Sequence, residues 1–227
     1  MTLLRTVGLL CLSLLLFVGR AHAGIIFHAD LTTGAEAGAN SFADQVNRGA
    51  PTTGPGLGLG PSRPLSFGTA NFFLNDAGTA LSFTATVFNI DFTGSQTPGP
   101  NDDLVAAHIH AGGAAAPTFP VVWGFFGAPF NDANSSGAAL TPPSDCIAFA
   151  TGVGGTCSGT WDLLEGNGTT LEAQLPNILA GRSYINFHTT QYTGGEIRGF
   201  LQVPEPATLA LVGLGLLGIA AMRRRTA

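Results

Sequence analysis

Three histidines stand on alternating stretches of the sequence, where their spacing could assemble a site for chemistry. The stretch 106–112 reads Ala-Ala-His-Ile-His-Ala-Gly, and such alternation is typical of a half-buried β-strand. His108 and His110 then project from one face, while the apolar residues between them project from the other. The stretch 183–188 alternates in the same way and ends in His188. If the two strands are neighbours, the three imidazoles share a face.

Such a face could do either of two things. An H-x-H strand aims two imidazoles at one point, and His188 could complete three ligands of a single divalent metal, with water or Glu196 as the fourth. Alternatively, the three imidazoles form a hydrogen-bonded polar cluster with Asn186, Glu196 and Arg198, and no cofactor binds. We expect the metal-free cluster and keep the mononuclear, potentially redox-active metal site as the alternative.

Motifs for common enzyme classes are absent from the sequence. There is neither a G-x-S-x-G stretch for a serine hydrolase nor an H-E-x-x-H stretch for a zinc protease. After the first 23 residues the chain has four histidines, too few for a dinuclear copper–zinc site that takes six histidines and an aspartate. We therefore expect that the protein is not an enzyme.

Alternating and β-branched runs recur between residues 25 and 202. They predict an all-β domain of about seven to eight strands, arranged as an antiparallel β-sandwich or a barrel-like fold. The Gly- and Pro-rich stretches 32–64 and 127–156 are predicted to be long loops. The stretch 171–180 has helical character, which Pro176 is expected to limit to a turn or two.

The charge of the domain disfavours some partners, and its cysteine content agrees with export. Residues 24–202 contain 13 acidic residues and 4 arginines, a net charge of −9 before any histidine charge, and the whole chain lacks lysine. This acidity disfavours nucleic acid as a partner. Cys146 and Cys157 remain after the first 23 residues, and in an oxidising compartment we expect them to form a disulfide.

Both ends of the chain carry targeting patterns. Residues 1–23 have a basic start at Arg5, an apolar run and an Ala-x-Ala site before Gly24, which together predict a secretory signal peptide. Sec export machinery and signal peptidase are the expected partners. The C-terminal segment 203–227 has three parts in order: the motif Pro204, Glu205, Pro206; an apolar stretch, 207–222, that we expect to form a short helix; and the basic tail Arg223, Arg224, Arg225.

This C-terminal order resembles the PEP-CTERM sorting signal of Gram-negative bacteria. The resemblance implies transient anchoring in the inner membrane, processing by an exosortase near Pro204–Pro206, and release to the cell surface or the extracellular (biofilm) matrix.

The region between the two ends resembles the CHRD domain, which is named for repeats in the extracellular protein chordin and is widespread in secreted bacterial proteins. Four motifs carry the resemblance, in this order: 106–110, Gly159-Thr-Trp, 184–189 and Gly194-Gly-Glu-Ile-Arg-Gly. The family implies a non-catalytic, extracellular binding or structural module over residues 24–202, and we expect a polysaccharide or protein ligand. One departure is that a Glu-Val-Pro-Pro run usual in the family is reduced here to Glu36.

Overall fold

The computed structural model describes residues 24–47, 63–113, 117–135 and 145–204, and in these ranges it has nine β-strands and two short α-helices. The all-β prediction is confirmed, with slightly more strands than expected. The strands are β1 (Ile25–Thr32), β2 (Phe67–Leu74), β3 (Ala80–Phe88), β4 (Leu104–Ala111), β5 (Val121–Phe126), β6 (Cys146–Ala148), β7 (Gly154–Asp162), β8 (Ser183–Thr189) and β9 (Ile197–Phe200), and the helices are α1 (Phe42–Asn47) and α2 (Leu171–Leu179).

All nine strands belong to one antiparallel sheet in the order β5-β4-β8-β9-β1-β2-β3-β7-β6. The sheet curves so that strands far apart in this order pack against each other across the core. Phe83 of β3 lies 4.6 Å from Phe125 of β5, and the indoles of Trp123 and Trp161 stack at 6.0 Å (ring centroids). Burying these aromatic side chains supplies much of the hydrophobic stabilisation of the fold.

The strands that carry the histidines are adjacent. In the β4–β8 pairing His108 lies opposite Asn186, His110 opposite Tyr184, and Ala106 opposite His188. β9 continues the row, with Arg198 opposite Asn186. Every residue of β8 is buried, so this sheet has side chains packed against both of its faces here. The apolar face meets the core, and loops cover the polar face.

The prediction that residues 127–156 form a long loop is partly wrong. The structure places β6 and the beginning of β7 in it, and this accounts for the additional strand. Cys146 and Cys157 lie directly opposite each other on these strands and form the expected disulfide. β6 is only three residues long, too short to be recognised from alternation.

Two further stretches are more regular than predicted. Helix α2 runs from Leu171 through Pro176 to Leu179, and the Thr170 side chain caps its N-terminus by accepting a hydrogen bond from the Ala173 N–H. The stretch 32–64 contains a 3₁₀ turn, Thr33–Ala35, and helix α1. The remainder of that predicted loop, 48–62, lies outside the described residues.

The targeting segments also lie outside the described residues: the predicted signal peptide 1–23, Glu205 and Pro206 of the motif, the predicted short helix 207–222, and the basic tail Arg223–Arg225. Pro204 is the last residue described. Within the described ranges no helix is long and apolar enough to cross a membrane.

Candidate functional site

The structure brings His108, His110 and His188 together on the polar face of β4 and β8. One ring nitrogen from each lies within 4.8 Å of the corresponding nitrogens of the other two. His108 Nδ1 is 3.3 Å from His188 Nε2. All three side chains are buried, with exposed fractions of 5–8%.

Each imidazole is held by a backbone carbonyl on its other nitrogen. The contacts are His108 Nε2 to Ala128 O at 2.9 Å, His110 Nδ1 to Phe119 O at 2.8 Å, and His188 Nδ1 to Thr193 O at 3.0 Å. A carbonyl oxygen can only accept a hydrogen bond, so each of these nitrogens carries the ring hydrogen. This assigns the tautomer of all three rings.

The remaining nitrogens therefore present lone pairs to one another. They are His108 Nδ1, His110 Nε2 and His188 Nε2. His110 Nε2 is buried and has no hydrogen-bond partner among the described residues. Two acceptor nitrogens that face each other at 3.3 Å repel unless a cation, either a proton or a metal ion, lies between them.

Electrostatics disfavour the proton as this cation. Burial, reinforced by the nearby His188 and His110, lowers the pKa of His108 to about 3. Burial likewise lowers the pKa of His110 to about 4 and lowers that of His188. At neutral pH the three rings are therefore neutral, the form in which imidazole binds metals.

A glycine in β5 explains how the Ala128 carbonyl reaches the His108 ring. Gly124 of β5 lies opposite His108, and a Cβ at this position would come within 1.8 Å of Pro129 O and 3.1 Å of His108 Cδ2. Only glycine allows the chain after β5 to fold back over the ring and bring Ala128 O to it. Register shifts in the β4–β5 pairing on both sides of this point loosen the strand pair locally.

A second layer fixes His110. Its ring stacks on Tyr184 at 4.7 Å, and the guanidinium of Arg198 lies 4.6 Å from the centroid of the Tyr184 ring. Arg198 donates hydrogen bonds to Ala35 O and, at 2.8 Å, to Pro117 O. The stack holds His110 in place. The two hydrogen bonds of Arg198 join the segment after β1 to the loop before β5.

Glu196, which the sequence suggested as a fourth ligand, is occupied by other groups. Arg63 donates to both of its carboxylate oxygens at 2.6 Å, and Ser66 and Thr189 donate to one oxygen each. Glu196 is 1% exposed. The polar face predicted for Asn186, Glu196 and Arg198 is thus buried, and its glutamate pairs with Arg63 instead of Arg198.

Glu36 is the acidic residue that sequence reasoning did not place at this site. The backbone of the segment 38–42 pairs with the β8–β9 loop, through Phe42 N to Gly195 O at 2.9 Å and Gly194 N to Asn40 O at 3.0 Å. This brings the Glu36 carboxyl, 5% exposed, beside Asn186. Burial raises the pKa of Glu36 to about 8, although the charge of Arg198 acts in the opposite direction.

Comparison with known proteins agrees with the motifs. The model of the CHRD domain matches residues 42–201, and that of the PEP-CTERM protein-sorting motif matches residues 202–225. Neither the curated proteins nor the solved structures contain a match to the chain. The CHRD match includes all three histidines and begins after Glu36.

Proposed function

Because the chain belongs to the CHRD domain family and ends in a PEP-CTERM protein-sorting motif, we propose that it is a cell-surface or matrix protein that binds one transition-metal ion through His108, His110 and His188. The sorting motif implies recognition by an exosortase and an extracellular location. Export by the Sec machinery, cleavage before Gly24, transient inner-membrane anchoring and release near Pro204–Pro206 are parts of the same proposal.

The convergence of three imidazole lone pairs carries the proposal. Metal-binding histidines usually donate their other ring N–H to a carbonyl or carboxylate, which fixes the tautomer and the ring orientation, and all three rings here do so. A metal-free cluster would instead need donors for the three lone pairs. The arrangement therefore favours the metal site over the cluster that we expected from the sequence.

The ligand set indicates the class of metal. Three neutral imidazoles suit zinc or copper and do not suit calcium or magnesium, which prefer oxygen ligands. When bound, such an ion would supply Lewis acidity or, in the case of copper, redox capacity. Because the three histidines are at most 8% exposed, the site has little access for a large substrate, which supports a binding role without catalysis.

Metal analysis tests this function. After incubation with zinc or copper and desalting, we expect about one metal ion per wild-type chain and almost none for His110→Ala. His28→Ala is the matched control, since His28 lies on β1, half-exposed, and bonds to Asn71 and Asp30. A wild-type protein that retains no metal, and whose melting temperature ignores zinc, copper and chelator, would refute the proposal.

Intact mass tests the processing. In a host with an exosortase, the released protein should begin at Gly24 and end near Pro204–Pro206, and without the enzyme it should remain in the membrane fraction. Released protein that still carries Arg223–Arg225 would contradict sorting at this motif.

An exposed aromatic surface supports a second role, the binding of an extracellular polysaccharide or protein. Phe67 and Phe88 stack at 4.9 Å on the outer face of the β2–β3 hairpin and are 51% and 37% exposed. Exposed apolar patches commonly mark interaction sites. The double change Phe67→Ser, Phe88→Ser should reduce retention on the producing cell's matrix with no loss of metal, and unchanged retention would eliminate this role for the patch.

A further inference from the structure

Asn186 stands at the centre of the polar face that carries the histidines. It lies opposite His108 in the β4–β8 pairing and opposite Arg198 in the β8–β9 pairing. Its side chain is 2% exposed, and its Oδ1 has no hydrogen-bond partner in the described ranges. A buried amide oxygen in this state costs free energy that a ligand could recover.

The Glu36 carboxyl group adjoins this amide across a gap beside Gly195. A Cβ on Gly195 would lie 2.6 Å from Asn186 Nδ2 and 2.7 Å from Glu36 Oε2, so a side chain there would fill the space between them. Gly195 also has φ of +123°, a conformation that other residues rarely adopt. Both carboxylate oxygens of Glu36 are buried and, within the part of the chain described, lack a hydrogen-bond partner.

The chemical types of these atoms are informative. Glu36 Oε1 and Oε2, Asn186 Oδ1 and His110 Nε2 are all acceptors when the carboxyl is ionised. The nearest cation, Arg198, directs its Nε and Nη1 hydrogens at Ala35 O and Pro117 O. Although Asn186 Nδ2 also lies at this gap, the buried side-chain atoms without a partner are acceptors, and a ligand that satisfies them must supply hydrogen-bond donors.

We propose that Glu36 and Asn186 hold a small, hydrogen-bond-donating ligand, a water molecule in the resting state, on the open position of the metal bound by His108, His110 and His188. This inference rests on the metal site proposed above. Three protein ligands leave a tetrahedral ion one position short. A metal-bound water has two hydrogens, which match the oxygens of Glu36 and Asn186. The pocket selects protic ligands over anions that can only accept hydrogen bonds.

Azide tests this selectivity, because it binds open metal positions but cannot donate a hydrogen bond. The experiment uses the full-length protein loaded with cobalt(II), whose visible absorption reports azide binding, together with a separate measurement of cobalt per chain. Glu36→Ala and Asn186→Ala remove an acceptor that faces the azide, so each should tighten azide binding about tenfold. Glu36→Gln, which preserves the shape and can donate an N–H, should tighten it as well and serves if the alanine variant does not fold. Glu172→Ala, at an exposed position on α2, is the control and should match the wild type.

The outcomes separate the two proposals. One cobalt per chain with equal azide affinity in all variants would overturn the role of Glu36 and Asn186 and leave the metal site intact. Loss of cobalt from folded Glu36→Gln would show that Glu36 is itself a ligand, which also overturns this inference. Failure of the wild type to bind cobalt, zinc or copper would overturn the metal site, and the ligand pocket with it.

Discussion

Two buried polar clusters lie on the same face of β8 and β9, and they differ in how fully their atoms are paired. In the first, both carboxylate oxygens of Glu196 accept from Arg63, and two hydroxyl groups complete the set. In the second, the three histidines, Glu36 and Asn186 present six buried acceptor atoms when the Glu36 carboxyl is ionised, three ring nitrogens and three side-chain oxygens. Burial is similar in both clusters.

The difference separates structure from function. A buried cluster whose members satisfy one another holds chain segments together, here β2 and its leading segment to the β8–β9 loop. A cluster whose unpartnered atoms are acceptors is costly to fold, and it is preorganised for a cation that comes from outside the chain. The extent to which polar side chains are buried does not distinguish the two clusters, whereas the pairing of their atoms does.

The largest effect is expected at the satisfied cluster. Glu196→Ala leaves the guanidinium of Arg63, 15% exposed, without its carboxylate, and removing one partner of a buried ion pair costs about 3–5 kcal/mol. We expect a large fall in the free energy of unfolding, measured by denaturant titration, with about one metal ion still bound per folded chain. A variant that keeps its stability but loses its metal would reverse the roles assigned to the two clusters.

A smaller effect, part of which requires metal, is expected at the histidines. At a free metal concentration of 100 times the dissociation constant, binding to the native state alone stabilises it by about 2.7 kcal/mol. His110→Ala should abolish this gain, while in chelator it should change stability by about 1–3 kcal/mol through the lost stacking on Tyr184. If His110→Ala destabilises the protein equally with and without zinc, the cluster is structural.

The sequence predicted part of this site. Alternation placed His108, His110 and His188 on polar strand faces, because side-chain direction in a strand depends only on residue parity.

The partner of Glu196 was missed because Arg63 belongs to a stretch of Gly and Pro that has no periodicity. The carbonyls of Phe119, Ala128 and Thr193 were also out of reach, since every residue has a carbonyl and only the loop path selects these three. Glu36 stood in the sequence as the remnant of a family motif, but its place beside Asn186 depends on a long-range contact with the β8–β9 loop.

The smallest effect concerns Glu36 and the direction of its pH dependence in metal-free protein. The folded state keeps the Glu36 proton up to about pH 8, whereas the unfolded chain releases it near 4.5, so between these values the unfolded state binds fewer protons and stability falls as pH rises. The histidines act in the opposite sense below about pH 7.5, because unfolded imidazoles with a pKa of 6.5 bind more protons there than the folded ones do.

Glu36→Gln keeps the histidines, so the difference between the wild type and this variant from pH 6.5 to 8 isolates Glu36. Here the Glu36 proton should contribute to the wild type in chelator a loss of up to about 1.4 kcal/mol per pH unit, the free energy of one proton per molecule. Glu36→Gln should remove this slope, and Glu172→Gln, at an exposed position, should retain it. Denaturant titrations at pH 6.5, 7.2 and 8 provide the comparison. Equal slopes in wild type and Glu36→Gln would mean that the carboxyl is already ionised when folded. In that case the second cluster would contain a buried negative charge beside the imidazoles even without metal, and its pairing with Arg198 would resemble that of Glu196 with Arg63.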